Sequence, residues 1–228
     1  MRKIGLIGGM SWESSITYYR RINEEIRDTL GGLHSADCLL HSVDFAPVET
    51  WQRKGEWNKA GQYLGKIAQN LESAGAEGII LCTNTMHKVA DYITSAIHIP
   101  FLHIGEVTGN VLRLNGHRHV LLLGTKYTMS EPFMINKLEQ YGLYVTVPEE
   151  QDMEEVNRII FEELCLGISN SGSKKYLQKL INKYKEIDSV VLGCTELNLL
   201  LDTQDTSIHV YDSAELHILS TVEFILKR

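Results

Sequence analysis

Short aliphatic runs punctuate the chain. Each ends near a glycine or a small polar residue, and the stretches between them carry apolar residues at helical spacing. The runs at 3–7, 38–43, 79–81, 99–104, 120–123, 144–147, 189–192 and 207–210 predict β-strands. Their near-continuous apolar character suits strands of parallel sheets, buried on both faces. Helices are predicted over 11–30, 59–74, 86–96, 106–114, 129–140, 153–166, 176–184 and 213–226. Ser11 or Ser14 is the expected cap of the first, Ser130 that of the fifth, and Gly31-Gly32 the stop after the first. Asp44-Phe45-Ala46-Pro47 reads as a loop, 51–57 as a short helix or lid, and 168–174 as a Ser/Gly-rich loop. Strands alternating with helices predict an α/β fold.

Two stretches share one build. Glu77 to Thr85 laid over Asp188 to Glu196 sets Leu81 on Leu192, Cys82 on Gly193, Thr83 on Cys194 and Asn84 on Thr195. The spacing from the Gly8 turn to Thr83 is close to that from the Gly124 turn to Cys194. Two similar α/β half-molecules, related by a pseudo-twofold, account for both facts. The closing helix is expected to return to the first half. That gives a first domain of 1–104 plus 208–228 and a second of 105–207.

Composition narrows the function. The chain has 228 residues with 22 basic and 29 acidic side chains, a net charge of -7. This argues against a nucleic-acid partner and leaves room for a small anionic substrate held by local donors. The run at Ile4–Ile7 is too short for a signal-peptide core, which needs about 7–15 apolar residues. No run reaches the roughly 18 apolar residues of a membrane span. A cytoplasmic protein is expected. Its cysteines, Cys38, Cys82, Cys165 and Cys194, form no CxxC pair and no zinc-ligand spacing, so they are expected to be reduced thiols with no bound metal.

Gly5-x-x-Gly8-Gly9 lacks the spacing of a dinucleotide fingerprint, and Asp44 lies too far beyond it to serve as the ribose acid, so no nicotinamide cofactor is expected. The glycines do let backbone N–H groups approach an anion at a helix start. Cys194 follows a glycine at the mouth of a sheet. Small strand-end cysteines are commonly inert packing, but helix-start amides there would lower the thiol pKa and give a usable thiolate. Glu196 reads as a base partner or a cap. Cys82 faces the opposite way from Thr83 and belongs in the core. Cys38 and Cys165 read as packing residues. Thr83 is a hydrogen-bond donor, since an alcohol holds its proton far more tightly than a thiol. His87 reads as a capping or solvent-facing histidine, with a second acid/base role ranked lower.

Taken together, Gly5 to Ser14, Asp44-Phe45, Gly75-Ala76-Glu77 with Asn84-Thr85, His103-Ile104, Leu123-Gly124-Thr125 with Thr128-Met129, Phe161 to Leu164, and Gly193-Cys194-Thr195-Glu196 resemble the aspartate/glutamate racemases, relatives of the hydantoin racemases and arylmalonate decarboxylases. The resemblance implies a cofactor-independent enzyme of two similar Rossmann-like α/β domains with central parallel sheets, related by a pseudo-twofold. It places the site in the cleft between two α/β domains and usually in a homodimer. It implies that two cysteines flank the substrate α-carbon, one removing the proton and the other returning one. The second-domain cysteine, which works on the L-isomer, matches Cys194; the first-domain position falls on Thr83, where the chain departs from the pattern. The expected enzyme is therefore a racemase of L-aspartate or L-glutamate with slow or water-relayed reprotonation from the Thr83 side. Asn84, Thr85, Thr125, Thr128 and Thr195 are the expected donors to the substrate carboxylate, with Met10 in the glycine loop and Glu196 completing the binding set. Gln52, Arg53 and Lys174 are expected at the side-chain carboxylate. The same-fold alternative is a decarboxylase using Cys194 alone as proton donor. From another class, a catalytically silent amino-acid-binding protein also fits.

Overall fold

Every named strand in the computed structural model, which describes residues 1–201 and 205–227, pairs parallel with its neighbours. The chain divides into two units, Met1–His103 with His217–Arg228, and Ile104–Leu216.

In the first unit the elements run β1 (Ile4–Gly8), α1 (Trp12–Leu30), β2 (Cys38–Ser42), α2 (Phe45–Arg53), α3 (Trp57–Ser73), β3 (Gly78–Leu81), a 3₁₀ turn at Thr85–Val89, and α4 (Ala90–Thr94). The sheet order is β2-β1-β3. All of β1 is buried, so both of its faces need apolar cover. Ile7, Ile79 and Leu81 meet Leu64, Ala68 and Leu71 of α3 in one core cluster. Helix α1 contributes buried Tyr18, Ile22 and Ile26 at four-residue spacing. Its cap is Ser11, whose Oγ accepts from the Ser14 N–H at 3.4 Å, and Gly31 at φ 74° ends it.

In the second unit the order is α5 (Ile104–Leu114), β4 (His119–Gly124), α6 (Lys126–Ser130), α7 (Pro132–Glu139), β5 (Tyr144–Thr146), α8 (Glu150–Arg158), a π turn at Ile159–Glu163, a 3₁₀ turn at Leu164–Leu166, α9 (Ser171–Lys183), β6 (Ser189–Gly193), a 3₁₀ turn at Leu197–Leu199 and β7 (His209–Asp212); α10 (Ser213–Leu226) begins here and belongs to the first unit from His217 on. The sheet order is β5-β4-β6-β7. Alternation along β4 sorts its residues onto two faces: Leu121 and Leu123 join one core with Val190 and Leu192, while Val120 and Leu122 join another with Val191. Each fully buried side chain of this kind contributes roughly 1.5–3 kcal/mol.

Several expectations need correction. The strand at 207–210 lies at 209–212 and pairs with β6, so the chain returns to the first unit at His217 rather than at residue 208. The stretch 99–104 makes only one bridge, Ile79 to Phe101, and Ile104 already opens α5. Asp44 to Pro47 is no loop. Asp44 Oδ1 accepts from the Ala46 N–H at 3.2 Å and starts α2, and Pro47 falls in the first turn, where its missing N–H is not needed. The helix expected over 129–140 is two helices, because Pro132 drives Glu131 to an extended conformation; the cap is Thr125 rather than Ser130. The loop expected over 168–174 ends at Asn170, which caps α9 through a 2.8 Å bond from the Gly172 N–H.

Gly9 fixes the loop between β1 and α1. It sits at φ 94°, a Cβ there would overlap the main chain of Val43, and its N–H donates to Ser15 Oγ at 2.8 Å. Gly9→Ala is expected to lower unfolding stability by about 2–4 kcal/mol, through overlap and left-handed strain together. Urea titration followed by circular dichroism checks this, and a loss below 1 kcal/mol would show that the loop can shift.

Candidate active site

Strand register, rather than sequence overlay, puts Thr83 and Cys194 at equivalent places. Ile7 pairs with Leu81 across β1 and β3, and Leu123 with Leu192 across β4 and β6. Gly8 and Gly124 follow Ile7 and Leu123 and end those strands. Superposing the two glycines sets Leu81 on Leu192, and two residues on, Thr83 on Cys194. In a parallel α/β sheet such C-terminal strand ends are where ligands are held.

In the second unit Cys194 follows β6, buried at 8% exposure. Its Sγ donates to Glu196 Oε2 at 2.9 Å, and Thr195 Oγ1 donates to the same oxygen at 2.7 Å. Burial pushes the thiol well above its ordinary range; the Glu196 carboxylate adds to this by its charge and by accepting the proton. The thiolate expected from the sequence is thus replaced by a thiol at rest, because desolvation outweighs the nearby amides. Thr125 and Thr128 are buried together. Thr125 Oγ1 accepts from the Thr128 N–H at 3.3 Å, and their hydroxyls lie 3.1 Å apart. Thr128 is fully buried beside Gly124 and Gly193, where any Cβ on Gly193 would come within 2.8 Å of its methyl. It shapes the strand ends by packing. Lys174 lies on α9, paired with Asp205 at 2.7 Å.

In the first unit Thr83 and Thr85 are half-buried and Asn84 is buried. Cys82 is fully buried, and burial pushes its thiol far up, which suits packing. Met10 is buried in the core that also holds Met86, and Gln52 Nε2 donates to Met86 Sδ at 2.7 Å. Arg53 is exposed at the end of α2, 3.4 Å from Glu49.

Three residues were underrated from sequence. Ser14 Oγ donates to the Cys82 carbonyl at 3.0 Å, and Ser15 takes the Gly9 N–H, so α1's first turn braces both the glycine loop and the end of β3. His87, expected to cap or face solvent, is 2% exposed, with its Nδ1 2.8 Å from the Thr83 carbonyl. Its ring lies 4.7 Å from that of His103 and 5.8 Å from that of His217. His217 Nε2 donates to the Leu102 carbonyl at 2.8 Å, and Tyr18 OH donates to its Nδ1 at 3.0 Å, which fixes a neutral tautomer. Burial lowers His217 to about 4 and holds His87 well below the usual imidazole range. Among the described residues no group of three or more His, Cys, Asp or Glu side chains is placed to hold a metal ion. No helix among them is long and apolar enough to cross a membrane.

With this geometry in place, similarity to known proteins has a structural meaning. The Asp/Glu/hydantoin racemase family profile matches residues 7–221. A Yersinia pestis protein of solved structure, provisionally described as an Asp/Glu racemase, is 46% identical over the whole of both chains, with a TM-score of 0.96. An aspartate racemase homologue from Pyrococcus horikoshii is 39% identical, again over the whole of both chains, with a TM-score of 0.89. A broad-specificity amino-acid racemase of Bacillus subtilis is 24% identical over 98% of each chain.

Two measurements probe the electrostatics. Cys165 is exposed on its 3₁₀ turn, contrary to the packing role expected, while Cys194 is buried and held as a thiol. Iodoacetamide at pH 7.5 is expected to label Cys165 at least about tenfold faster than Cys194, as read by peptide mass spectrometry. The second concerns acid stability. The folded value of His217 is about 4 against an ordinary 6.5, so between those pH values the unfolded chain binds a proton that the folded chain refuses. This contribution is complete above pH 6.5 and is lost as pH falls toward 4, at a cost of about 3 kcal/mol. Urea midpoints at pH 7 and 4.5 are expected to differ less in His217→Gln than in the wild type.

Proposed function

The chain belongs to the Asp/Glu/hydantoin racemase family, and we propose that it is a cofactor-independent racemase of aspartate and glutamate favouring the L-isomers, with Cys194 and Thr83 serving the two faces of the α-carbon. Family membership carries amino-acid racemase chemistry; the substrate, its handedness and these two roles are our reading. The observation that supports it most is the equivalence of Thr83 and Cys194 by strand register, combined with the bond from the Cys194 thiol to Glu196.

An amino-acid α-proton is very weakly acidic, so the base that takes it must be strong at the moment of transfer and unable to wait as an ion in water. A desolvated thiol meets that need. Glu196 accepts the Cys194 proton across 2.9 Å. The resulting thiolate, in a setting that raises its pKa, is a stronger base than one in solvent. It takes the α-proton and is a thiol again, leaving an enediolate on the substrate carboxylate. Thr195, Asn84 and Thr85 are the donors proposed to meet that charge. A proton delivered by water on the Thr83 side gives the D-isomer and leaves hydroxide, which the proton held by Glu196 then neutralises, restoring thiol and carboxylate; return from Cys194, with Glu196 giving its proton back to the thiolate, regenerates the L-isomer. Since a hydroxyl is a far weaker acid than a thiol, delivery is the slower branch and is relayed by water. A side-chain carboxylate on the substrate competes with Glu49 for Arg53 and with Asp205 for Lys174.

The test is incubation with L-aspartate and L-glutamate in heavy water, following α-deuteration by NMR and the D-isomer by chiral chromatography. L-isomers are expected to exchange faster than they invert. Cys194→Ser abolishes both processes, and Thr83→Ala abolishes inversion while sparing exchange. Glu196→Gln lowers exchange by about 100-fold or more and makes Cys194 more readily alkylated. D- and L-isomers processed equally fast, with the same dependence on Cys194, would sink the one-sided mechanism. Carbon dioxide release from a substituted malonate without α-exchange would instead identify a decarboxylase using Cys194 as acid.

A further inference from the structure

The geometry assigns His87 a part in that reaction, resting on the functional reading above: it is the residue that positions Thr83, through a ring-to-backbone bond.

A carbonyl oxygen carries no proton, so the 2.8 Å contact between His87 Nδ1 and the Thr83 carbonyl requires Nδ1 to be the donor. The same residue's backbone N–H donates to the Asn84 carbonyl at 3.0 Å. Ser14 Oγ holds the preceding carbonyl, that of Cys82, at 3.0 Å. Three successive carbonyls at the end of β3 are therefore bound in place, two of them by His87. The equivalent carbonyl in the second unit, that of Cys194, is held by the main-chain N–H of Leu197 at 3.2 Å. Among the described residues, it is at the Thr83 end that a titratable side chain serves this purpose.

The ring itself is held from several elements. His103 meets it edge-on, Phe101 lies 5.6 Å away, and His217 of α10 lies 5.8 Å away with Tyr18 of α1 bound to its far nitrogen. Burial disfavours an imidazolium at His87 most, and the like charge that His103 and His217 carry when protonated adds to it; the carbonyls of Thr83 and Asn84 favour it. The ring is thereby kept neutral, as a single-proton donor aimed at Thr83. His103 is the last residue before the chain leaves the first unit, and His217 the first on its return. The cluster that orients Thr83 is thus tied to both crossings.

The test uses two polar replacements of the intact chain. In His87→Asn the side-chain amide occupies about the Nδ1 position and can donate to Thr83. In His87→Gln the amide is displaced toward the Nε2 position and cannot. Two readouts are taken: the ¹³C shift of the Thr83 carbonyl at pH 7, and the rates of inversion and of α-proton exchange for L-aspartate. His87→Gln is expected to move the carbonyl shift. It should lower kcat for inversion about 100-fold, the scale of a 1 Å misplacement, with KM and Cys194-dependent exchange within about twofold. His87→Asn restores both readouts. In a Thr83→Ala background, His87→Gln leaves α-proton exchange within about twofold. Equal loss of inversion and exchange, or an unmoved carbonyl shift, overturns the assignment. If the wild-type protein exchanges no α-proton of any amino acid, the functional reading falls. The carbonyl shift and its recovery in His87→Asn then decide by themselves whether His87 holds this strand end.

Discussion

A backbone carbonyl at the C-terminal end of a parallel strand loses its ladder partner just where the chain turns, and a buried one must find another donor. This requirement organises both halves of the protein. At the end of β6, the Leu192 carbonyl takes the Ser213 hydroxyl at 2.8 Å, and that of Cys194 takes the Leu197 N–H. At the end of β3, the Cys82 carbonyl takes the Ser14 hydroxyl and that of Thr83 takes the His87 imidazole. The equivalent problem is solved by main chain at one Cys/Thr position and by an aromatic ring at the other. Residues far apart in sequence, from α1 to α10, are recruited by these few oxygens.

Burial also decides charge. Cys194, His87 and His217 are all shifted toward their neutral forms, with desolvation the largest cause in each case. At the end of β6, one oxygen of Glu196 takes both the Cys194 thiol and the Thr195 hydroxyl. On the mechanism proposed above, the thiolate is generated by transfer to this adjacent acceptor rather than stored, which accords with a base that must be stronger than a solvated thiolate.

The β/α rhythm was plain in the sequence because strands buried on both faces are apolar throughout. Thr83 and Cys194 could be matched by overlay because β3 and β6 end in step with their glycine-ended neighbours, β1 and β4. The misses share a cause. Helix starts at Phe45 and Ser171 were hidden because Asp, Asn, Ser, Gly and Pro mark loops and first turns alike; only cap geometry tells them apart. Residues 99–104 looked like a strand, yet just one bridge forms before α5 begins, and β7 was assigned to the wrong unit because pairing partners are not written in local pattern. His87 looked solvent-facing because nothing local reveals that His103 and His217 converge on it from sixteen and more residues away. The thiol of Cys194 was read from its amides, whereas the larger effect is burial, which depends on α8, α9 and their neighbours closing over β6.

The difference between holding a residue and activating it follows from which atom is touched. His87 reaches the carbonyl of Thr83, not its Oγ1. It cannot draw the hydroxyl proton, and a neutral ring places no charge beside the oxygen. A donor on the carbonyl restrains the peptide plane, and through it the direction in which the side chain leaves the strand end. Cys194 is treated in the opposite way: its side-chain sulfur, rather than its backbone, meets the titratable partner, so Glu196 changes the thiol's acidity directly. One half thus couples a thiol side chain to a carboxylate, and the other holds the backbone carbonyl of a threonine. In the proposed reaction this difference favours proton traffic on the Cys194 side and leaves the Thr83 side dependent on geometry, where an error in position is felt in full.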